Sequence, residues 1–358
     1  MADATDPDAE FNGTRDVEAR HRLDEANLDA WMKANVEDFQ GPLSLLQFKG
    51  GQSNPTYQVN TPGASYVLRR KPFGKLLPSA HAVDREYRVM TALYRHGFTV
   101  PRTFGSCADD GVIGAAFYVM AMVPGRIFWN QRLPAVAREQ RWPIYAAEIE
   151  TLARLHAYEP EAIGLGDFGR PGNYFARQID RWTKQYRASE TGPVDEFERL
   201  IAWLPRTVPP QARVSVVHGD YRLDNVIYAA DAPRVIAVLD WELSTLGDPL
   251  ADLSYLLMQW VTSGPGRVGL QGADLAELNI PGLDAAVEIY CKATGRAGIP
   301  NLDWYFAYNM FRLAAILQGI AGRVRDGTAS SARAQESAAR AVPMAKAAWT
   351  YAVRAGAH

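Results

Sequence analysis

Cysteine is almost missing from this chain: its 358 residues contain two, Cys107 and Cys291, far apart in sequence. Two isolated thiols exclude a disulfide framework and a cysteine-rich zinc site, and they fit a reducing compartment. An excess of charge of either sign is missing too. Lys plus Arg number 38 and Asp plus Glu 40, a net charge of -2. No strong basic field exists to draw in nucleic acid or anionic lipid. No stretch approaches the roughly 20 apolar residues of a membrane span. The first residues, Met1 to Asp8, are acidic and polar, without the basic start and apolar block of a signal peptide. A cytoplasmic location is expected, with neither nucleic acid nor membrane as partner. Internal repeats, coiled-coil heptads and low-complexity linkers are also lacking. Nothing in these features sets the oligomeric state.

What is present is an ordinary globular composition, 47% hydrophobic and 22% charged. The length exceeds one ordinary core and predicts two lobes. Residues 1 to about 16 are expected to form a mobile tail. From Val17 to Phe39 the spacing of Leu28, Trp31, Met32, Val36 and Phe39 predicts a helix, closed by Gly41-Pro42. Extended segments follow over Leu43–Phe48, Thr56–Asn60 and Ser65–Arg70. A helix is expected over Ala82–Tyr94, and the apolar run Phe117–Val123 suits a buried strand. Pro124-Gly125 then marks the break between a lobe over 17–124 and a helical lobe over 125–358. Helices are expected at Ala135–His156, Tyr174–Tyr186, Ala251–Val261, Asp284–Thr294, Trp304–Arg325 and Ser331–Val353. One β island interrupts them, with short runs at Val214–Val217, Val226–Tyr228 and Val235–Leu239.

The densest polar cluster lies in that island: His218-Gly219-Asp220-Tyr221-Arg222-Leu223-Asp224-Asn225, directly after an apolar strand. Fifteen residues past Asn225 comes Asp240-Trp241-Glu242, after another. If residues 226–239 fold as a hairpin, its turn falls near Asp231-Ala232-Pro233, a good turn sequence. Asn225 and Asp240 are then neighbours at its open end. An amide oxygen beside a carboxylate is a hard-oxygen site suited to Mg²⁺. Asp220 would point into the same space without being needed as a ligand, free to take a proton from a hydroxyl nucleophile.

This arrangement resembles the aminoglycoside phosphotransferase family, marked by His-Gly-Asp, four residues, Asn, and a metal-binding Asp after the next hairpin. The resemblance spans roughly Gly41 to Met258. Within the family the chain looks most like the kinase domain fused to animal acyl-CoA dehydrogenases, through Gly50-Gly51-Gln52-Ser53-Asn54, Val67-Leu68-Arg69-Arg70-Lys71-Pro72, and Asp240-Trp241-Glu242 running to Gly247-Asp248-Pro249. The resemblance implies an α+β, protein-kinase-like two-lobe fold, with a small β-sheet N-lobe and a larger helical C-lobe. It implies ATP and Mg²⁺ as cofactors, Asp220 as catalytic base, and Asn225 and Asp240 as Mg²⁺ ligands. Further parts follow from the same logic. Gly50, Gly51, Gln52, Ser53 and Asn54 would cover the phosphates. Arg69 stands where protein kinases carry Lys, with Lys71 as a substitute. Glu86 would pair with that cation. Met120 to Val123, with Met120 and Met122, would form the adenine-binding hinge.

Blander readings stand beside these. His218 is expected to brace the loop rather than take the proton. Arg222 and Asp224 are as well read as a solvated pair as substrate contacts. Asp248 and Asp252 are expected to serve a helix start, with Asp248 also able to brace the catalytic loop. Asp240 to Tyr290 holds eight acidic residues and one basic one, Arg267, but such a bias is usually a solvated face. The expected function is ATP- and Mg²⁺-dependent phosphorylation of a small-molecule hydroxyl, with a hydroxyacyl-CoA or hydroxy acid as the suggested acceptor. The alternatives are an aminoglycoside or amino-alcohol kinase, a catalytically silent nucleotide-binding module, and a metal-dependent hydrolase built on His218, Asp220 and Asp240.

Overall fold

Alternating apolar positions in short β-rich runs build the first sheet of this computed structural model, which describes residues 12–49, 54–73, 82–262, 269–328 and 334–358. In chain order the early elements are β1 (Thr14–Arg15), α1 (Glu25–Asn35), β2 (Ser44–Phe48), β3 (Thr56–Asn60), β4 (Ser65–Arg70), α2 (Val83–Arg95), β5 (Thr103–Cys107), α3 (Asp110–Ile113) and β6 (Phe117–Ala121). Then come α4 (Arg138–Ala157), α5 (Tyr174–Ser189), α6 (Asp195–Trp203), β7 (Ser215–Val217), β8 (Val226–Tyr228), β9 (Val235–Val238) and β10 (Thr245–Gly247). The chain finishes with α7 (Pro249–Val261), α8 (Leu275–Leu278), α9 (Leu283–Thr294), α10 (Leu302–Arg325), α11 (Ala334–Ala339) and α12 (Ala341–Arg354).

Two compact units emerge. The first comprises Met1–Thr151, Glu161–Gly166 and Arg222–Ser244; the second comprises Leu152–Pro160, Asp167–Tyr221 and Thr245–His358. This grouping differs from a single break after residue 124. The reason is main-chain pairing: Arg126 and Tyr228 exchange backbone hydrogen bonds, and Val238 N–H donates to Thr99 O. The Arg126 guanidinium also donates to Ala229 O and Ala232 O. The 226–238 hairpin is thereby built into the first unit.

The first unit carries a six-stranded sheet in the order β1-β2-β3-β4-β6-β5, with antiparallel neighbours throughout. Its side-chain period of two sorts residues onto two faces. On one face Tyr57, Val59, Tyr66, Leu68, Phe117 and Val119 pack with Leu28, Met32, Val36 and Phe39. The amino-terminal helix thus covers its own sheet. It is shorter than the span 17–39, because Asp24 caps its start by accepting from Asn27 N–H at 3.0 Å. Ala19–His21 forms a separate 3-10 turn. The expectation of a mobile tail reaching residue 16 needs a correction as well. Thr14 and Arg15 pair with Phe48 and Gln47 of β2, and Lys49 N–H donates to Gly13 O.

The second unit is mostly helical. β7 and β10 pair antiparallel, Val217 opposite Thr245. Phe175 of α5 is the hub of its aromatic core, with ring centroids 5.2, 5.4 and 4.8 Å from Trp304, Tyr305 and Tyr308 of α10. The late aromatic helix is accordingly core. Helix α6 was not expected from the sequence; Phe197, Leu200 and Trp203 form its buried stripe. Among the described residues no helix is long and apolar enough to cross a membrane.

Truncation of the hub removes edge-on ring packing together with a large buried volume. Phe175→Ala is expected to lower the stability of the chain by about 3–5 kcal/mol. Urea denaturation followed by tryptophan fluorescence measures the loss, and an unchanged midpoint would show that the α5–α10 ring cluster is not a structural hub.

Candidate functional site

Strand register assembles the first half of the site. Val67 and Arg69 of β4 point to the sheet face opposite Tyr66 and Leu68. Arg69 lies directly across from Tyr118 of β6, and Val67 from Met120. Helix α2 brings Glu86 to the same face. Glu86 shares a buried stripe with Val83, Val89, Met90 and Leu93, so helical spacing alone points it at the sheet. The outcome is an ion pair between Arg69 Nε and Glu86 Oε2 at 3.0 Å. Tyr118 O–H donates to Glu86 Oε2 at 3.1 Å, and Asn54 Nδ2 donates to Glu86 Oε1 at 3.0 Å.

The hairpin supplies the rest. β8 and β9 pair with Val226 opposite Val238, and Leu239 N–H donates to Asn225 O at 2.9 Å. Asn225 and Asp240 therefore emerge together at the hairpin's open end. Asp240 sits in the left-handed region at φ 64°, a conformation that Asp tolerates better than most residues. Trp241 anchors this turn. It is buried, its Nε1–H donates to Val238 O at 3.0 Å, and its ring meets Phe98 edge-on with centroids 6.1 Å apart. The tryptophan thus supplies an indole hydrogen bond as well as apolar bulk.

The turn aims two carboxylates at the buried cation. Arg69 Nη2 donates to Asp240 Oδ1 at 2.6 Å and to Glu242 Oε2 at 3.3 Å. Asn54 Nδ2 also donates to Glu242 Oε2, at 3.2 Å. Burial disfavours the charged guanidinium, but Asp240 and Glu86 more than offset it, so Arg69 is held above its ordinary range. Burial pushes the Glu86 carboxyl up to about 7, against the opposing pull of Arg69. The geometry gives the Glu86 pair to Arg69 and not to Lys71, whose Nζ lies 4.0 Å from Asp84 on the helix surface.

Asp220 belongs to the second unit. β7 delivers His218, and Gly219 follows at φ 86°, in the left-handed region open to glycine. The Asp252 carboxylate on α7 accepts from His218 N–H at 2.6 Å and Gly219 N–H at 2.8 Å. His156 Nε2 lies 3.4 Å from the same carboxylate, and its Nδ1 is 2.8 Å from the Tyr290 hydroxyl. Burial alone would raise the Asp252 carboxyl; His156 and the loop N–H groups hold it below its ordinary value. Asp252 therefore braces the loop backbone. Asp248 caps α7, accepting from Leu250 N–H at 2.9 Å, the helix-start role expected of it, and the bracing falls to Asp252. His218 is buried and its Nδ1 accepts from Asp220 N–H at 3.2 Å, so it acts as a loop brace. Asp220 Oδ1 accepts from Tyr255 O–H at 2.7 Å.

Gly50, Gly51, Gln52 and Ser53, expected to cover the phosphates, lie outside the described residues. Asn54 is described and joins the Arg69 network. Met120 is buried in β6 and Met122 follows the strand, half-buried. Arg222 and Asp224 pair at 2.9 Å, both largely buried, which argues against a solvated pair. An amide and a carboxylate at one hairpin end, with Glu242 beside them, are hard-oxygen donors that fit Mg²⁺. Among the described residues no group of three His, Cys, Asp or Glu side chains forms a metal site. Sequence reasoning missed Tyr255, which carries no local signal. It also missed Arg312, although a lone cation in the apolar stripe of α10 has to find a buried partner.

Comparison with known proteins agrees with this architecture. Residues 44–288 match the model of the phosphotransferase enzyme family. The chain is 43% identical over 346 residues to the acyl-CoA dehydrogenase family member 10 of Mus musculus, covering 96% of this chain and 32% of that protein. It therefore spans about a third of this relative's length. A structure from Ralstonia eutropha JMP134, provisionally assigned as an aminoglycoside phosphotransferase, superposes with a TM-score of 0.85 at 47% identity, covering 93% of this chain and 99% of the other. The aminoglycoside phosphotransferase APH(4)-Ia, in ternary complex with AMP-PNP and hygromycin B, shares the fold at 18% identity, with a TM-score of 0.59 and coverage of 92% and 99%. The fold is the kinase-like one of aminoglycoside phosphotransferases.

Two measurements probe the buried charges. Arg69→Met leaves Glu86 and its neighbours without their cation, and breaking a buried pair from one side costs about 3–5 kcal/mol. A denaturation midpoint equal to wild type would show that the network contributes nothing to stability. Asp248 is buried and its pKa is raised from 3.8 to about 6. Its carboxyl is neutral more readily in the folded chain, so this stability is full below pH 4 and is lost as pH rises through about 6. Asp248→Asn keeps a capping acceptor and removes the titration. Relative to wild type it is expected to gain stability between about pH 4 and 6, by up to about 3 kcal/mol. Melting temperatures across that range check it, and parallel curves would refute the burial argument.

Proposed function

The chain belongs to the phosphotransferase enzyme family, and from that premise we propose that it transfers the γ-phosphoryl group of ATP to a hydroxyl of a hydroxyacyl-CoA or related hydroxy acid. The observation that carries the reading is the open end of the β8–β9 hairpin. There Asn225 and Asp240 emerge side by side, with Asp240 held by an Arg69 that also pairs with Glu86.

In this reading Asp220 accepts the proton of the acceptor hydroxyl. The hydroxyl oxygen bonds to the γ-phosphorus, the bond to the β–γ bridging oxygen breaks, and ADP leaves. Asn225 and Asp240 would hold Mg²⁺, which would supply positive charge to the phosphates when bound. Arg69 fixes the Asp240 carboxylate and adds positive charge on the phosphate side, while Glu86 and Asn54 fix Arg69. In this reading residues 50–54 and 120–123 would meet the phosphates and the adenine. The AMP-PNP complex of APH(4)-Ia supports a nucleoside triphosphate as donor. For the acceptor, support comes from the mouse relative, which is named for acyl-CoA dehydrogenation and of which this chain matches about a third.

The test is a pooled acceptor panel with Mg²⁺-ATP, read by mass spectrometry. It contains hydroxyacyl-CoAs, hydroxy acids, amino alcohols and aminoglycosides. Wild type is expected to phosphorylate an acyl or hydroxy-acid member, and Asp220→Asn to lose about 10²–10⁴ of that rate. A product confined to aminoglycosides or amino alcohols would overturn the acceptor assignment. Mg²⁺-ATP binding without any product would favour a silent module.

A further inference from the structure

Tyr255 takes no part in the roles assigned above, yet its hydroxyl donates to Asp220 Oδ1 at 2.7 Å. It projects from α7, one turn beyond Asp252, whose carboxylate holds the His218 and Gly219 N–H groups. One helix therefore fixes both the backbone of the loop and the side chain of Asp220. Arg312 of α10 completes the arrangement. It is buried, donates from Nη2 to Gly219 O at 2.5 Å, and lies over the Tyr255 ring, 5.2 Å from its centroid. The peptide before Asp220, the ring that reaches its carboxylate and the guanidinium between them form one packed group.

We propose that Tyr255 is a positioning residue for the Asp220 base, with Arg312 locking the tyrosine ring and the Gly219 peptide in place. The inference rests on the reading of Asp220 as the proton acceptor. A hydrogen bond donated to a carboxylate favours its ionised form, the form that accepts a proton. It also selects one side-chain rotamer, and small errors in the direction of a base are costly to rate. Among the described contacts, the groups around Asp220 include Tyr255 from α7, Arg312 from α10, which holds the preceding Gly219 peptide, and, in its own loop, His218, whose Nδ1 accepts Asp220 N–H. Arg312 is the permanent charge of that set.

Tyr255→Phe removes one O–H and keeps the ring beneath Arg312. Two readouts apply to the full chain. The first is the titration of the Asp220 side-chain carboxyl, followed by ¹³C NMR and assigned with Asp220→Asn; it is expected to move to higher pH in the variant. The second is the kinetics with the acceptor found in the panel. kcat should fall about ten- to hundredfold, as expected for one hydrogen bond to a charged group. The KM for ATP should be unchanged, and the acid limb of kcat/KM should shift to higher pH. A purely structural tyrosine would lower the melting temperature and leave both the carboxyl titration and the acid limb in place, and that result overturns the proposal. A variant with wild-type kcat overturns it as well, while leaving the phosphotransferase reading intact. A wild type inert towards every acceptor overturns the base assignment and this inference with it.

Discussion

A single buried guanidinium organises the first unit. Arg69 is largely removed from water, and an unpaired charge there would be untenable. The cation is tolerable because three carboxylates converge on it: Glu86 from a helix, and Asp240 and Glu242 from the turn after the hairpin. They come from two separate parts of the chain. The demand for compensation therefore fixes the helix α2, the strand β4 and the 240–242 turn with respect to one another. Asn54 ties in the strand entrance through Glu86 and Glu242.

The second unit solves a related problem with opposite signs. One of its buried charges is the Asp252 carboxylate, and the compensation is two backbone N–H groups and His156. Donors taken from the main chain make this arrangement rigid, because they have no rotamers to lose. The loop carrying Asp220 gains its shape from that constraint. The left-handed Gly219 is the joint that lets two successive N–H groups face one acceptor. Both units therefore use a buried ion to define a short irregular segment that regular secondary structure could not hold.

The main elements were legible because they depend on local periodicity. The α2 stripe, the β2–β4 runs and the β8–β9 hairpin follow from apolar spacing and turn chemistry, and the hairpin placed Asn225 beside Asp240. Elements with weak local signals were missed. β5 is broken by Gly105 and bends against β6, and β10 has three residues whose partner, β7, is thirty residues away. The expected tail ended too late because a two-residue edge strand has no periodicity to detect.

The sequence by itself determined that two carboxylates and an amide, Asp220, Asp240 and Asn225, stand at fixed spacing in one β island, since spacing along a chain survives any packing. It also determined the family resemblance, which rests on those same residues. Only the tertiary structure decided that Arg69, not Lys71, takes Glu86, that Asp252, not Asp248, braces the loop, and that Tyr255 and Arg312 attend Asp220. Those choices join residues that lie between 17 and 93 positions apart. They are settled by which buried charge must be neutralised and which donor reaches it, and no local pattern records that.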